Sequence, residues 1–354
     1  MSGGVDSSVA AWLLREAGHE VVGVFMRHGQ QAETACHPDL GRSTRHKQGC
    51  CSAADAADAR RVAEMLGIPC YVLNFQEQFQ RIVDYFVQQY TAGRTPNPCI
   101  PCNTWLKFGK LFEYADSVGA EFVATGHYAR LVPIGRGEIA LCRGRDPAKD
   151  QSYVLFGVPW RLLGRLKFPI GEHRKEEIRQ MAGRLGLCVA EKRDSQEICF
   201  VPDQDHARFV RQHGGTDTSG EIVTTDGTVV GRHDGLEHFT IGQRRGLRIA
   251  FGEPRYVVRI EPDTRRVVIG TWDELARREL IAAELNWLVE KVASGPLRCQ
   301  VKIRYRSPAV DAAVEVLPGG RFHVDFAQPC YGVAPGQAAV CYDGDRVLGG
   351  GWIE

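Results

Sequence analysis

Three groups of residues in this chain could do chemistry. The first is Ser2-Gly3-Gly4-Val5-Asp6-Ser7-Ser8, ahead of a run whose apolar positions Val9, Ala10, Ala11, Leu13 and Leu14 continue at helix spacing. Glycines leave backbone N–H groups open where a larger side chain would block them, and hydroxyls flank them. Together these make a site for phosphate oxygens at a helix N-terminus. No Gly-Lys-Ser/Thr follows, so this is not a Walker loop, and it is not Gly-x-Gly-x-x-Gly. A similar run, Gly214-Gly215-Thr216-Asp217-Thr218-Ser219, has neither a strand before it nor a helical run after it and reads as an ordinary turn. The second group is Cys99 and Cys102, three residues apart between Pro96, Pro98 and Pro101, whose rings fix the local backbone. The third is Cys199, which follows a basic stretch that would favour its thiolate. These thiols admit several readings: a zinc site if Cys50 and Cys51 complete it, buried small apolar side chains, sulfur-carrying chemistry, or an iron-sulfur cluster on three thiolates.

The elements that must position these groups fall into two kinds. Apolar runs at Glu20 to Met26, Ile68 to Phe75 and Glu121 to Gly126 read as buried strands, alternating with helices at Ser7 to Ala17, Ala53 to Leu66 and Thr104 to Val118. That alternation predicts an α/β domain with a parallel sheet covered by helices. From Trp160 to Arg193 the chain carries nine basic and four acidic residues, a local charge of +5, with helical spacing around Lys175 to Leu185. His213 to Gly220 reads as a linker. Beyond it, short strands separated by turn signals run at Arg255 to Ile260, Arg266 to Ile269, Cys299 to Tyr305, Ala312 to Leu317, Arg321 to Phe326, Ala338 to Tyr342 and Val347 to Ile353. Their close spacing predicts a small antiparallel barrel.

With 354 residues, several domains are expected. A formal charge of +1 says nothing about partners, and 44% apolar residues suit a globular chain. No membrane span or signal peptide is visible, so a cytoplasmic protein whose cysteines stay as thiols is expected. One feature fits badly: a phosphate loop of this kind should follow a central strand, yet it begins at residue 2. A strand ahead of Ser2 is therefore expected to be missing from the sequence.

The motifs together closely resemble the tRNA-specific 2-thiouridylases. They are the phosphate loop, Gly49-Cys50-Cys51-Ser52, Thr95-Pro96-Asn97-Pro98 with Cys102-Asn103, Ala124 to Ala129, Lys149-Asp150-Gln151-Ser152-Tyr153, Asp194 to Phe200, Thr240 to Gly246 and Gly349 to Ile353. The resemblance implies a PP-loop (adenine nucleotide alpha hydrolase-like) domain over residues 1–200 with a basic tRNA-binding insert near 160–193. A small β-rich domain would follow at 201–275 and a C-terminal antiparallel β-barrel at 276–354. It implies ATP on Ser2, Gly3, Gly4, Val5, Asp6, Ser7, Met26 and Gly126, with Mg2+ accompanying the nucleotide. Cys102 would be the catalytic nucleophile and Cys199 the persulfide carrier, the two joined by a disulfide bond as sulfur moves. The tRNA anticodon stem-loop would meet Pro96, Asn97, His127, Lys149, Asp150, Gln151, Arg304, Tyr305, Arg306 and Gln337. His127 also has the plainer reading of a core histidine, and Arg304 to Arg306 that of a solvated strand face.

Sulfur would come from a sulfur-relay protein or a cysteine desulfurase, and a monomer is expected. The implied product is 2-thiouridine at the wobble position, formed by adenylating the C2 oxygen. Many relatives carry Asp where this chain has Cys99. The substitution keeps open a cluster on Cys99, Cys102 and Cys199 beside the persulfide route. The rival functions are a PP-loop ligase acting on a small molecule, which would not need these cysteines, and a tRNA-binding protein impaired by the missing strand.

Overall fold

The computed structural model describes residues 1–28, 53–135, 137–194, 198–201, 205–214, 216–290 and 295–354. The first domain opens with α1 (Val5–Glu16), β1 (Gly23–Arg27), α2 (Ala53–Leu66), β2 (Cys70–Asn74) and α3 (Gln76–Thr91). A short α4 (Cys99–Pro101) runs into a π-helix (Cys102–Lys110) and then α5 (Leu111–Ser117). β3 (Val123–Ala124), β4 (Ala129–Gly135), β5 (Glu138–Arg143), β6 (Leu166–Lys167), α6 (Lys175–Arg184) and α7 (His206–Gly214) follow. The parallel sheet consists of two pairs, β1 with β2 and β3 with β6, which are not joined to each other among the described residues. Val5, Val9 and Ala10 of α1 pack against Val62 and Leu66 of α2 and Ile178 and Ala182 of α6, so the phosphate loop sits on a helix held from two sides.

The predicted helix at Thr104 to Val118 is present with a different start. Thr104 donates its hydroxyl back to the Ile100 carbonyl at 3.1 Å. Such back-bonding loosens the i→i−4 ladder, and here the ladder widens into a π-helix that begins at Cys102.

The chain continues with β7 (Gly220–Thr224), β8 (Val229–His233), β9 (Tyr256–Glu261) and β10 (Arg266–Gly270), forming a separate sheet in the order β8-β7-β10-β9. The two predicted strands between Arg255 and Ile269 therefore lie outside the barrel, and β10 runs parallel to β7. The barrel itself is β11 (Ala276–Trp287), β12 (Leu297–Lys302), β13 (Val310–Leu317), β14 (Arg321–Tyr331), β15 (Ala338–Asp343) and β16 (Arg346–Ile353). Its order is β11-β14-β13-β12-β15-β16, and β11 also pairs with β16, so the antiparallel sheet closes on itself. Val301, Phe322, Val324 and Cys341 fill its interior. The hairpin β4–β5 joins the edge of β16 through Cys142 and Arg346, tying the first domain to the barrel.

Candidate active site

The phosphate loop needs its glycines. Gly3 has φ +69°, and a Cβ there would fall 2.2 Å from the Asp55 carbonyl oxygen. Gly126 lies against the other side, where a Cβ would meet the Asp6 and Ser7 backbone at 2.8 Å. The Ser2 N–H donates to Ser7 Oγ at 3.0 Å, and that hydroxyl donates to the Gly4 carbonyl at 3.1 Å. Gly4 caps α1 without a side-chain hydrogen bond, leaving first-turn amides and the positive end of the helix dipole for an anion.

Asp6 is turned away from that anion. Its carboxylate accepts from Lys175 Nζ at 2.8 Å on each oxygen and from the Tyr128 hydroxyl at 2.7 Å. Lys175 is 5% exposed and also meets Asp194 at 2.7 Å, which in turn pairs with Lys149 and Arg179. Burial opposes ionisation of Asp194, but the hydrogen bonds from Lys149 and Lys175 prevail and hold its pKa below the usual carboxylate value. On the other flank Lys192 Nζ donates to the Gly3 carbonyl, Asp55 and Asp58. The loop is thus fastened at both ends before any ligand arrives.

One cleft of about 2010 Å³ joins this loop to the cysteines. Its walls include Ser2 to Ser7, Met26, Gly126, His127, Lys149 to Gln151, Cys99, Cys102, Cys199, Tyr305 and Arg306. Met26, Cys102 and Cys199 pack against one apolar cluster of Phe75, Phe79, Ile82, Val83 and Leu106. Cys99 is exposed at the start of α4, where its N–H donates to Asn97 Oδ1 at 3.1 Å. Among the described residues no three His, Cys, Asp or Glu side chains gather closely enough to hold a metal ion. The three thiols of the alternative cluster route, Cys99, Cys102 and Cys199, all line the cleft, Cys99 exposed and the other two half-buried.

The residues predicted to meet tRNA divide by what they touch. Tyr305 and Arg306 line the cleft, with Arg306 exposed. Lys149, Asp150 and Gln151 line it too, while their side chains brace the loop: Asp150 accepts the Gly144 and Ser152 N–H groups, and Gln151 Oε1 accepts the Tyr128 N–H. His127 is buried, with Nδ1 2.7 Å from Thr125 Oγ1 and Nε2 3.4 Å from Lys107 Nζ. Pro96 is buried and Asn97 half-buried. Gln337 is buried and donates to the Thr95 carbonyl at 2.8 Å, and the Thr95 N–H donates to the Pro335 carbonyl at 2.8 Å. Gln337 thus clamps the Thr95 to Pro98 loop onto the barrel. Arg304 donates to the Gly332 carbonyl at 3.0 Å and the Ile241 carbonyl at 2.6 Å, linking the barrel to the middle sheet.

Gly49 to Ser52 and Ser195 to Glu197 lie outside the described residues. Sequence reading missed Lys107, Tyr128, Lys175, Lys192 and Asp194 as parts of the site. The basic stretch signalled Lys175 and Lys192 only as charge, and Arg165 of the same stretch pairs with Asp116 at 2.6 Å.

A glycine-lined helix N-terminus that opens onto a cleft with three thiols, in an α/β domain followed by two β domains, is the arrangement of a nucleotide-using enzyme of the HUP class. Residues 1–203 match the family model described as a tRNA methyl transferase HUP domain. Residues 207–271 match its PRC-barrel domain, and 277–353 an aminomethyltransferase beta-barrel domain. The tRNA-specific 2-thiouridylase MnmA of Rhodopirellula baltica is 54% identical over 380 residues, covering 100% of this chain and 94% of its own. Those of Geobacter metallireducens and Acidithiobacillus ferrooxidans are 49% and 46% identical, each over 100% of this chain and over 95% and 97% of their own. The chain belongs to the tRNA-specific 2-thiouridylase family.

Proposed function

We propose that this chain is an ATP-dependent tRNA-uridine 2-sulfurtransferase that forms 2-thiouridine at the wobble position. The observation that carries the reading is a single cleft holding both the phosphate loop and the pair Cys102 and Cys199. Methyl transfer, which the family model's description suggests, would need neither a pyrophosphate-binding loop nor two thiols.

The uracil C2 oxygen is a poor leaving group, and adenylation mends this. The oxygen bonds to the α-phosphorus, the bond to pyrophosphate breaks, N3 yields its proton to solvent, and pyrophosphate stays on the α1 amides. Cys199 carries a persulfide loaded by a sulfur-relay protein or a cysteine desulfurase. The Cys102 thiolate attacks the Cys199 sulfur, a Cys102–Cys199 disulfide forms, and hydrosulfide is expelled. That hydrosulfide adds to C2, the C2–O bond breaks, and AMP departs. An external dithiol then reduces the disulfide. Bridging requires Cα atoms about 4.4 to 6.8 Å apart, and the shared apolar cluster under both residues favours that approach. ATP with Mg2+ occupies Ser2 to Ser7 beside Met26 and Gly126, and the anticodon stem-loop enters past Pro96, Asn97, Tyr305 and Arg306. A wobble base, unstacked in its loop, is turned into the cleft more easily than a duplex base.

The test is thiolation of unmodified tRNA with ATP and a persulfide donor, read by nucleoside mass spectrometry. The intact chain should yield 2-thiouridine, whereas Cys102→Ser and Cys199→Ser should bind ATP and make none. Thiolation retained by both variants would refute the cysteine roles. ATP turnover on a small molecule, unaffected by either change, would favour the ligase rival.

A further inference from the structure

Lys107 stands five residues after Cys102 in the π-helix. In an α-helix that separation turns the two side chains about 140° apart. The wider i→i+5 ladder of a π-helix instead brings Lys107 round toward the Cys102 side, and both line the cleft. The ammonium lies 3.4 Å from His127 Nε2. Lysine has no acceptor, so Nε2 is the lone-pair side of the ring and Nδ1–H donates to Thr125 Oγ1. Burial, then the charge of Lys107, drives the His127 pKa far down and keeps the ring neutral. His28, another wall residue, is held neutral for the same two reasons.

Lys149, Lys175 and Lys192 are each held by aspartates. No carboxylate among the described residues lies within ion-pairing distance of Lys107. Its imidazole partner is anchored through Thr125 beside Gly126, which presses on the Asp6–Ser7 backbone. The cation therefore lies between the pyrophosphate-binding end of the cleft and the sulfur-bearing end, with no carboxylate paired to it among the described residues.

We propose that Lys107 is a catalytic residue that grips the α-phosphate of ATP while it passes to the uracil oxygen and leaves as AMP. The proposal rests on the thiolation reading of the cleft. In the first step the uracil oxygen bonds to the α-phosphorus as the pyrophosphate bond breaks. The ammonium transfers no proton, and its charge offsets the negative charge moving across the α-phosphate oxygens. Lys107 and Cys102 line the same cleft, so a phosphate on this ammonium and a sulfur released at Cys102 can reach one substrate.

The experiment is tRNA-dependent exchange of labelled pyrophosphate into ATP, which needs no sulfur donor, run beside ATP titration and thermal unfolding. Lys107→Met should slow exchange by about a hundredfold or more. The Kd for ATP should move less than about threefold and the melting temperature little, because uniform binding is not what is lost. Lys107→Arg should recover a large part of the rate. Exchange by Lys107→Met within about threefold of wild type would overturn the proposal. So would a loss of rate matched by loss of ATP affinity and of stability in both variants, which marks a structural lysine. Wild-type exchange without thiolation would sink the sulfur chemistry and leave Lys107 standing, whereas no wild-type exchange at all would sink both readings.

Discussion

Lys175 and Asp6 meet in a bidentate ion pair, 2.8 Å to each carboxylate oxygen, which fastens the phosphate loop to α6 across 169 residues of sequence. The same ammonium holds Asp194. Lys175→Met would leave two partly buried carboxylates facing each other without their shared cation. The variant should lose about 3 kcal/mol of stability, as when one partner of a buried pair is removed. Its ATP affinity should fall with it. Urea unfolding and calorimetric titration would show this, and an unchanged urea midpoint would mean the pair carries no such weight.

Gly126→Ala tests the seat of the loop from the opposite side. The added methyl would lie 2.8 Å from main-chain atoms of Asp6 and Ser7, which cannot swing away as a side chain would. The loop must shift, and the α1 amides shift with it. ATP affinity should drop at least about tenfold, equivalent to about 1.4 kcal/mol, while Cys102 and Cys199 keep their alkylation rates. Unaltered ATP binding would place the nucleotide elsewhere.

Gln337→Leu should free the loop that leads into Cys99 and Cys102. The Thr95 carbonyl would lose its buried donor, at a cost of about 1 to 3 kcal/mol. Trypsin should then cut after the exposed Arg94 several times faster, and thiolation should show a raised KM for tRNA. If Gln337 contacted RNA alone, proteolysis would not change.

Acid should destabilise the protein through its buried imidazoles. The native pKa of His28 is lowered to about 4 by burial and then by Lys107, against 6.5 for the free side chain. Between those values the unfolded chain binds a proton that the native chain does not, so stability rises with pH across that window and levels off above it. His127 acts in the same direction. His28 stacks on Phe79 with ring centroids 3.7 Å apart, so His28→Phe keeps the packing and removes the proton. Its urea midpoint should fall less than wild type between about pH 7 and pH 5. An equal fall would assign the effect elsewhere.

What could be read in advance was local. The phosphate loop is a contiguous pattern, the first-domain strands are apolar runs, and barrel strands announce themselves by turns every few residues; burial was not legible, since Tyr71 and Val72 of β2 are exposed. α3 was missed although Phe79, Ile82, Val83, Phe86, Val87 and Tyr90 repeat at helix spacing and are all buried. The π-helix was beyond periodicity, because the apolar spacing of Leu106 and Phe108 suits an α-helix as well. The site failed to show wherever a residue's partner was distant. Lys175 showed only as charge until Asp6 and Asp194 surrounded it, and the carbonyls that Arg304 and Gln337 meet lie 63 and 242 residues away, beyond any local pattern.

Those carbonyl acceptors bear on how the molecule tolerates change. Every residue type offers a main-chain oxygen, so positions 241 and 95 can drift without breaking the joint, while positions 304 and 337 cannot. These two contacts between domains are thus inherited through one side only. Methods that infer contacts from paired substitutions will see no signal at these two contacts, because only the donor side is constrained.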